Sequence, residues 1–159
     1  MVPALLFFKV PTPCVGICST TYGDAVCRGC RRYLHEVVNW NRYSEDEKRL
    51  VWLRLDGLIA QILPTYFQID DVDLLTREMQ RLDMPYRTDS GAWARLYAFL
   101  KACARQEPDL ATFGVTRLDL SSLSLGELRE HINAELHQLA SAYYEKDFLR
   151  ARQLSPTAE

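Results

Sequence analysis

The chain has 159 residues, 48% hydrophobic and 25% charged, with seven Gly and seven Pro scattered without a period. That length suits one ordinary domain or a small module joined to a modest second one, and the composition excludes disordered, collagen-like and low-complexity classes. A net charge of −2 removes the overall basic excess expected of a non-specific nucleic-acid binder.

The chain opens with MVPALLFFKVPTP. It lacks a basic leading region, its apolar run from Ala4 to Phe8 is short, and Pro11 and Pro13 follow, so it does not read as a secretory signal. No later stretch approaches the roughly 18 apolar residues that a membrane span requires. The expected compartment is the cytoplasm, with no membrane association. Thiols stay reduced there, and close-spaced cysteines act as metal ligands or redox groups before they act as disulfides.

Four of the five cysteines, Cys14, Cys18, Cys27 and Cys30, crowd into the next segment. Beyond them, Leu34, Val37, Val38 and Asn41 fall on one helical face with Trp40 at its edge. Ser44 and Glu47 form a capping-box pair that opens a helix bearing Leu50, Val51, Leu53, Leu55, Leu58, Ile59 and Ile62, stopped by Pro64. Gly57 inside that helix costs about 1 kcal/mol relative to Ala, which a close packing contact would explain. Asp70 or Asp71 then caps a helix through Leu74, Leu75, Met79 and Leu82, ending before Pro85. A further helix capped by Asp89 or Ser90 carries Trp93, Leu96, Tyr97, Leu100 and Cys103. Residues 108–123 read as irregular, with a turn at Gly114 and room for one short strand in Val115–Leu120. Ser124 with Glu127 repeats the capping box, and Leu125, Leu128, Ile132, Leu136, Leu139, Tyr143 and Phe148 make a long final stripe. The tail from Gln153 reads as frayed.

The expected fold is mainly α: a small N-terminal four-cysteine metal knuckle followed by about five helices. Residues 1–63 form the cysteine-rich module with two helices, and residues 64–159 a helical region packed against it. Charge divides the same way. Residues 1–60 hold eight basic and six acidic groups, and residues 61–159 hold eleven and fifteen.

The cysteine spacing, Cys14-x3-Cys18-x8-Cys27-x2-Cys30, is two close pairs joined by a loop containing Gly23-Asp24. Two thiolates three or four residues apart can grip one ion, and a second pair folded over by a turn completes a tetrahedron. Gly16 and Gly29 let the backbone turn between paired cysteines and offer N–H groups to sulfur. The helix after Cys30 would aim its amides at the sulfurs. Paired spacing of this kind matches structural zinc better than the ferredoxin patterns, while all-cysteine ligation suits an iron–sulfur cluster equally. The cofactor is therefore one zinc ion or one iron–sulfur cluster.

The segment Pro13–Leu55 resembles the bacterial YdhL-like family, a domain of unknown function whose members are often labelled iron–sulfur proteins. The likeness rests on Pro13-Cys14-x-Gly16-x-Cys18, on Cys27-Arg28-Gly29-Cys30, and on Trp40 followed by Glu47-Lys48. It covers the first 60 or so residues. It implies a small cysteine-rich module and supplies no reaction or substrate. Most members are little longer than the module, so the C-terminal residues depart from the family.

Other candidates carry less. His35 competes with four thiols already present, His131 and His137 are not spaced for a shared ion, and Cys103 sits on an apolar helix face. Asp70-Asp71-x-Asp73 lacks the glycine and distal Glu of a calcium loop. Arg28, Arg31 and Arg32, near Tyr33 and Trp40, make a possible basic patch for nucleic acid. No phosphate-cradling loop, nucleophile elbow or HExxH motif is present, so the reading is a non-enzymatic metal-binding module with a protein partner. An iron–sulfur redox or sensor protein is the alternative, and a nucleic-acid-binding zinc module the third.

Overall fold

A computed structural model of the chain describes residues 9–150 and 152. The N-terminal apolar run and the tail from Gln153 lie outside them. The described residues fall into two compact units, one up to Leu55 and one from Asp56 onward. The division falls inside a helix, earlier than the boundary read at Pro64.

The first unit begins with an irregular stretch through the cysteines and a 3₁₀ turn, Ser19–Tyr22. Helix α1, Leu34–Asn39, follows, and then α2, Glu45–Ile62, begins. The Ser44–Glu47 box forms as its sequence predicts: Ser44 N–H donates to Glu47 at 2.7 Å and Glu47 N–H to Ser44 Oγ at 3.2 Å. The face read for α1 is corrected. Leu34 and Val38 are exposed, while Tyr33, Glu36 and Trp40 are buried. The reason is electrostatic: Glu36 accepts from Tyr33 N–H at 2.8 Å and from Arg54 Nη2 at 2.5 Å, and those bonds turn the helix. In this unit α2 buries Val51 and Leu55, whereas Leu50 and Leu53 face solvent.

The second unit builds an ordinary apolar core. Pro64 sits in a 3₁₀ turn, Leu63–Thr65, that leads into strand β1, Phe67–Ile69. Next come α3, Val72–Arg81, and α4, Ala92–Cys103, then strand β2, Val115–Arg117, and α5, Leu125–Tyr144. A π-helical stretch, Glu145–Arg150, continues from α5. Strands β1 and β2 pair antiparallel with Phe67 opposite Arg117 and Ile69 opposite Val115. Leu63, Phe67, Leu75, Met79, Leu96, Phe99, Leu100, Leu128, Ile132 and Leu136 are fully buried, and Phe99 packs on Phe113 with centroids 4.4 Å apart.

Caps fix where these helices start. Asp71 accepts from Leu74 N–H at 2.9 Å, and Ser124 and Glu127 exchange bonds as expected. Glu107 adds its carboxylate to the first amide of α5, Leu125 N–H, at 2.6 Å. The cap of α4 is Gly91 with no side-chain bond, because the Ser90 hydroxyl donates instead to Arg87 C=O at 2.5 Å. Gly114, at φ +67°, receives Asp70 and Asp71 N–H groups on its carbonyl, and a Cβ there would stand 2.8 Å from Asp71 C=O. Only glycine lets the strand pair close onto the cap of α3. No helix among the described residues is long and apolar enough to cross a membrane.

Two expectations follow. A Cβ built on Gly57 meets nothing within 4 Å, so no packing contact explains that glycine. Gly57→Ala should therefore stabilise the chain by about 1 kcal/mol in urea unfolding. Asp119 accepts from Arg117 Nε at 2.5 Å and Nη2 at 3.0 Å, and these bonds lower its carboxyl from the ordinary 3.8 to about 2. A depressed carboxyl stabilises fully above pH 4 and loses that contribution as pH falls through 2. Asp119→Asn should cost on the order of 2 kcal/mol at pH 6 and converge with the parent near pH 2.

Candidate metal centre

The cysteine-bearing backbone is held at its start. Val10 N–H donates to the Glu45 carboxylate, and Trp52 Nε1–H donates to Pro11 C=O at 2.9 Å. Pro13 is buried, and Cys14 emerges into solvent. Gly16, at φ +96°, then reverses the chain toward Cys18, which is half-buried with Sγ 2.8 Å from Thr20 Oγ1. The 3₁₀ turn after it closes on Gly23.

The second pair sits on a tight hairpin-like turn. Val26 bridges Tyr33, Cys27 N–H donates to Arg32 C=O at 2.9 Å, and Arg31 N–H donates to Cys27 C=O at 2.8 Å. Arg31 takes the left-handed conformation at φ +62° that this turn needs. Cys27 and Cys30 are both buried. The first segment lies directly on this turn: a Cβ on Gly29 would stand 2.6 Å from Val15 Cγ2 and 3.0 Å from Ile17 C=O. Arg28 N–H, one residue earlier, donates to Ser19 Oγ at 2.8 Å.

Sulfur chemistry follows from that seating. Burial pushes the Cys27 thiol up, but the backbone N–H groups of Cys30, Ser19 and Gly29 and the Cys30 thiol outweigh it and bring it down to about 7. Burial raises the Cys30 thiol, against the opposing bond and charge of Arg32. The helix expected to supply amides does not do so. Leu34 N–H at the start of α1 is taken by Ala25 C=O at 2.9 Å, and Tyr33 N–H by Glu36.

The four sequence-derived ligands are therefore brought together in part. Cys27 and Cys30 share a cradle, and Ser19, next to Cys18, contributes an N–H to it. Among the described residues, no group of three or more His, Cys, Asp or Glu side chains stands close enough to hold one ion. The two buried thiols of this turn are soft donors of the kind that zinc and iron–sulfur sites use.

The basic patch is corrected. Arg28 is exposed and paired with Asp24 at 3.1 Å, but Arg31 and Arg32 are buried. Arg31 Nη1 donates to Gly29 C=O at 3.1 Å and Arg32 Nε to Cys30 Sγ at 3.3 Å. Two guanidinium groups turned into the unit cannot meet phosphates. Charge counting along the chain missed this because it carries no direction.

The remaining candidates form no metal-holding group among the described residues. His35 is exposed on α1, and His131 lies 3.6 Å from Glu135 on α5. Cys103 is buried in α4, donates to Phe99 C=O at 3.1 Å, and is pushed up to about 11 by burial, which makes it inert.

Comparison with known proteins places this geometry. The family model "Protein of unknown function (DUF1289)" matches residues 12–58. The "Uncharacterized protein YdhL" of Escherichia coli K12 and its counterpart in Shigella flexneri are each 47% identical to this chain over 55 residues, which is 35% of this chain and 67% of theirs. The chain belongs to this family. Membership rests on the N-terminal portion, which carries all four clustered cysteines, and leaves α3, α4 and α5 outside the match. No solved structure matches the chain.

Gly29→Ala tests whether the Cys14–Cys18 segment is seated on the second turn. The added carbon has to displace Val15 or Ile17. A displacement costing about 1.4 kcal/mol should speed alkylation of buried Cys27 roughly tenfold, read by mass spectrometry of the metal-free chain. An unchanged rate would show that the segment does not guard the turn.

Proposed function

We propose that the N-terminal unit is a metal-binding module in which Cys14, Cys18, Cys27 and Cys30 hold one ion, with structural zinc the first choice. The observation that carries this reading is the turn that buries Cys27 and Cys30 together, with Val15 and Ile17 from the segment of the first cysteine pair seated against its Gly29. Burial raises the Cys27 thiol, yet nearby backbone N–H groups bring it down to about 7, toward the thiolate form that a metal requires. Cys27 and Cys30 are the ready half of the set, and Cys14 and Cys18, the more exposed pair, would close over the ion.

Such an ion would supply folding free energy to a unit whose apolar core is small. Val15, Ile17 and Tyr22 around the cysteines are exposed, which supports a regulatory or interaction role for the module toward a protein partner. The same N–H contacts to sulfur suit an iron–sulfur cluster used in electron transfer or sensing, the second reading.

Anaerobic purification with metal and sulfide analysis separates them. One zinc per chain in a colourless protein is the expected result. A brown protein with iron and acid-labile sulfide would establish the cluster instead. Cys27→Ser should abolish loading of either, measured by plasma emission. Four freely titrating thiols with no metal in the parent protein would sink the proposal.

A further inference from the structure

Arg32 is 4% exposed, and burying a guanidinium costs several kcal/mol unless negative charge and hydrogen bonds compensate. Three other partly buried arginines of this chain show the usual solution. Arg54 pairs with Glu36 at 2.5 Å, Arg117 with Asp119 at 2.5 Å, and Arg87 with Asp56. Among the described residues Arg32 has no such ion pair. Its Nε–H donates to Cys30 Sγ at 3.3 Å, and its guanidinium carbon lies 5.0 Å from the centre of the Trp40 ring. Lys48, also buried, places Nζ 5.9 Å from the same ring and is balanced by Glu45 at 2.7 Å. Arg32, buried and without an ion pair among the described residues, touches a cysteine sulfur.

We infer that Arg32 is a positioning residue of the thiol site, its guanidinium bridging Cys30 Sγ and the Trp40 indole and balancing the negative charge of a ligated thiolate set. This rests on the metal reading above. Four thiolates around a divalent ion leave a net charge of about −2, and Arg32 is the buried cation in hydrogen-bonding contact with it. The guanidinium carbon lies over the Trp40 ring, and Nε is the nitrogen that meets the sulfur. The backbone agrees: Arg32 C=O accepts from Cys27 N–H at 2.9 Å, so one residue touches both cysteines of the turn. A lysine would keep the charge but lose both the guanidinium contact with the ring and the Nε donor.

The test uses the full chain, zinc alone as the probe, and competition with a metallochromic chelator. Arg32→Gln should weaken zinc binding about 10- to 100-fold, as removal of an outer partner of a metal ligand does. It should also shift the sulfur-to-cobalt charge-transfer band of the cobalt-substituted protein, a readout that a purely structural role would leave in place. Arg28→Gln removes an exposed charge paired with Asp24 and should leave both unchanged. If Arg32→Gln fails to fold by circular dichroism, Arg32→Lys carries the test and should show the same band shift. If the parent loads iron, the same variants are read as a shift in reduction potential. A parent that binds zinc or iron while the folded variant matches it in affinity and spectrum or potential overturns the role of Arg32 and leaves the metal reading standing. A parent that binds neither overturns both.

Discussion

Three cations are stacked on two aromatic rings inside the first unit. Arg32 and Lys48 approach Trp40, and Arg54 lies 3.9 Å over Tyr33. Desolvated contacts of this kind are worth up to about 2 kcal/mol each, but only if the charges are also neutralised. The rest of the unit is arranged around that need. Glu36 answers Arg54 and in doing so turns α1, while Glu45 answers Lys48 and also holds Val10 N–H. Through these pairs the polypeptide before Cys14 and the turn bearing Cys27 and Cys30 are tied to the same helix, α2. A unit with few large apolar side chains thus gains definition from directional interactions rather than from hydrocarbon volume.

The second unit solves the same problem differently. Its interior is Leu, Ile, Phe and Met from α3, α4, α5 and the strand pair, and its polar groups are spent on ends and corners. Asp71, Ser124 and Glu107 satisfy the first amides of helices, and Gly114 allows the strand pair to meet the cap of α3. Among its described residues, no arrangement of titratable groups resembles the cysteine turn. The family match covers only the first unit and the start of the second, in keeping with this difference in chemistry.

Helix existence was legible because its signals are local. The capping boxes at Ser44 and Ser124 act within a few residues and formed as read. The final stripe is buried from Leu125 to Leu136, with Ala140 in place of Leu139, Tyr143 and Phe148, which are half-buried. Strand β1 was missed, since three residues, Phe67–Ile69, gain their geometry only from partners about fifty residues away in β2. Burial of Phe99 and exposure of Leu50 and Leu53 were equally hidden, because an apolar residue reports a preference and not a direction. The same blindness made Arg31 and Arg32 look like part of a surface patch.

By itself the sequence determined a mainly helical chain, the family of its first third, and the residues able to act as soft ligands. Spacing and capping are properties of neighbours along the chain, so they survive without a fold. Tertiary structure alone decided that Cys27 and Cys30 share an amide-lined turn, that the Cys14–Cys18 segment rests on Gly29, and that Arg32 points inward at a sulfur. Those outcomes depend on which groups lose water together, and desolvation is a property of packing, not of order in the chain.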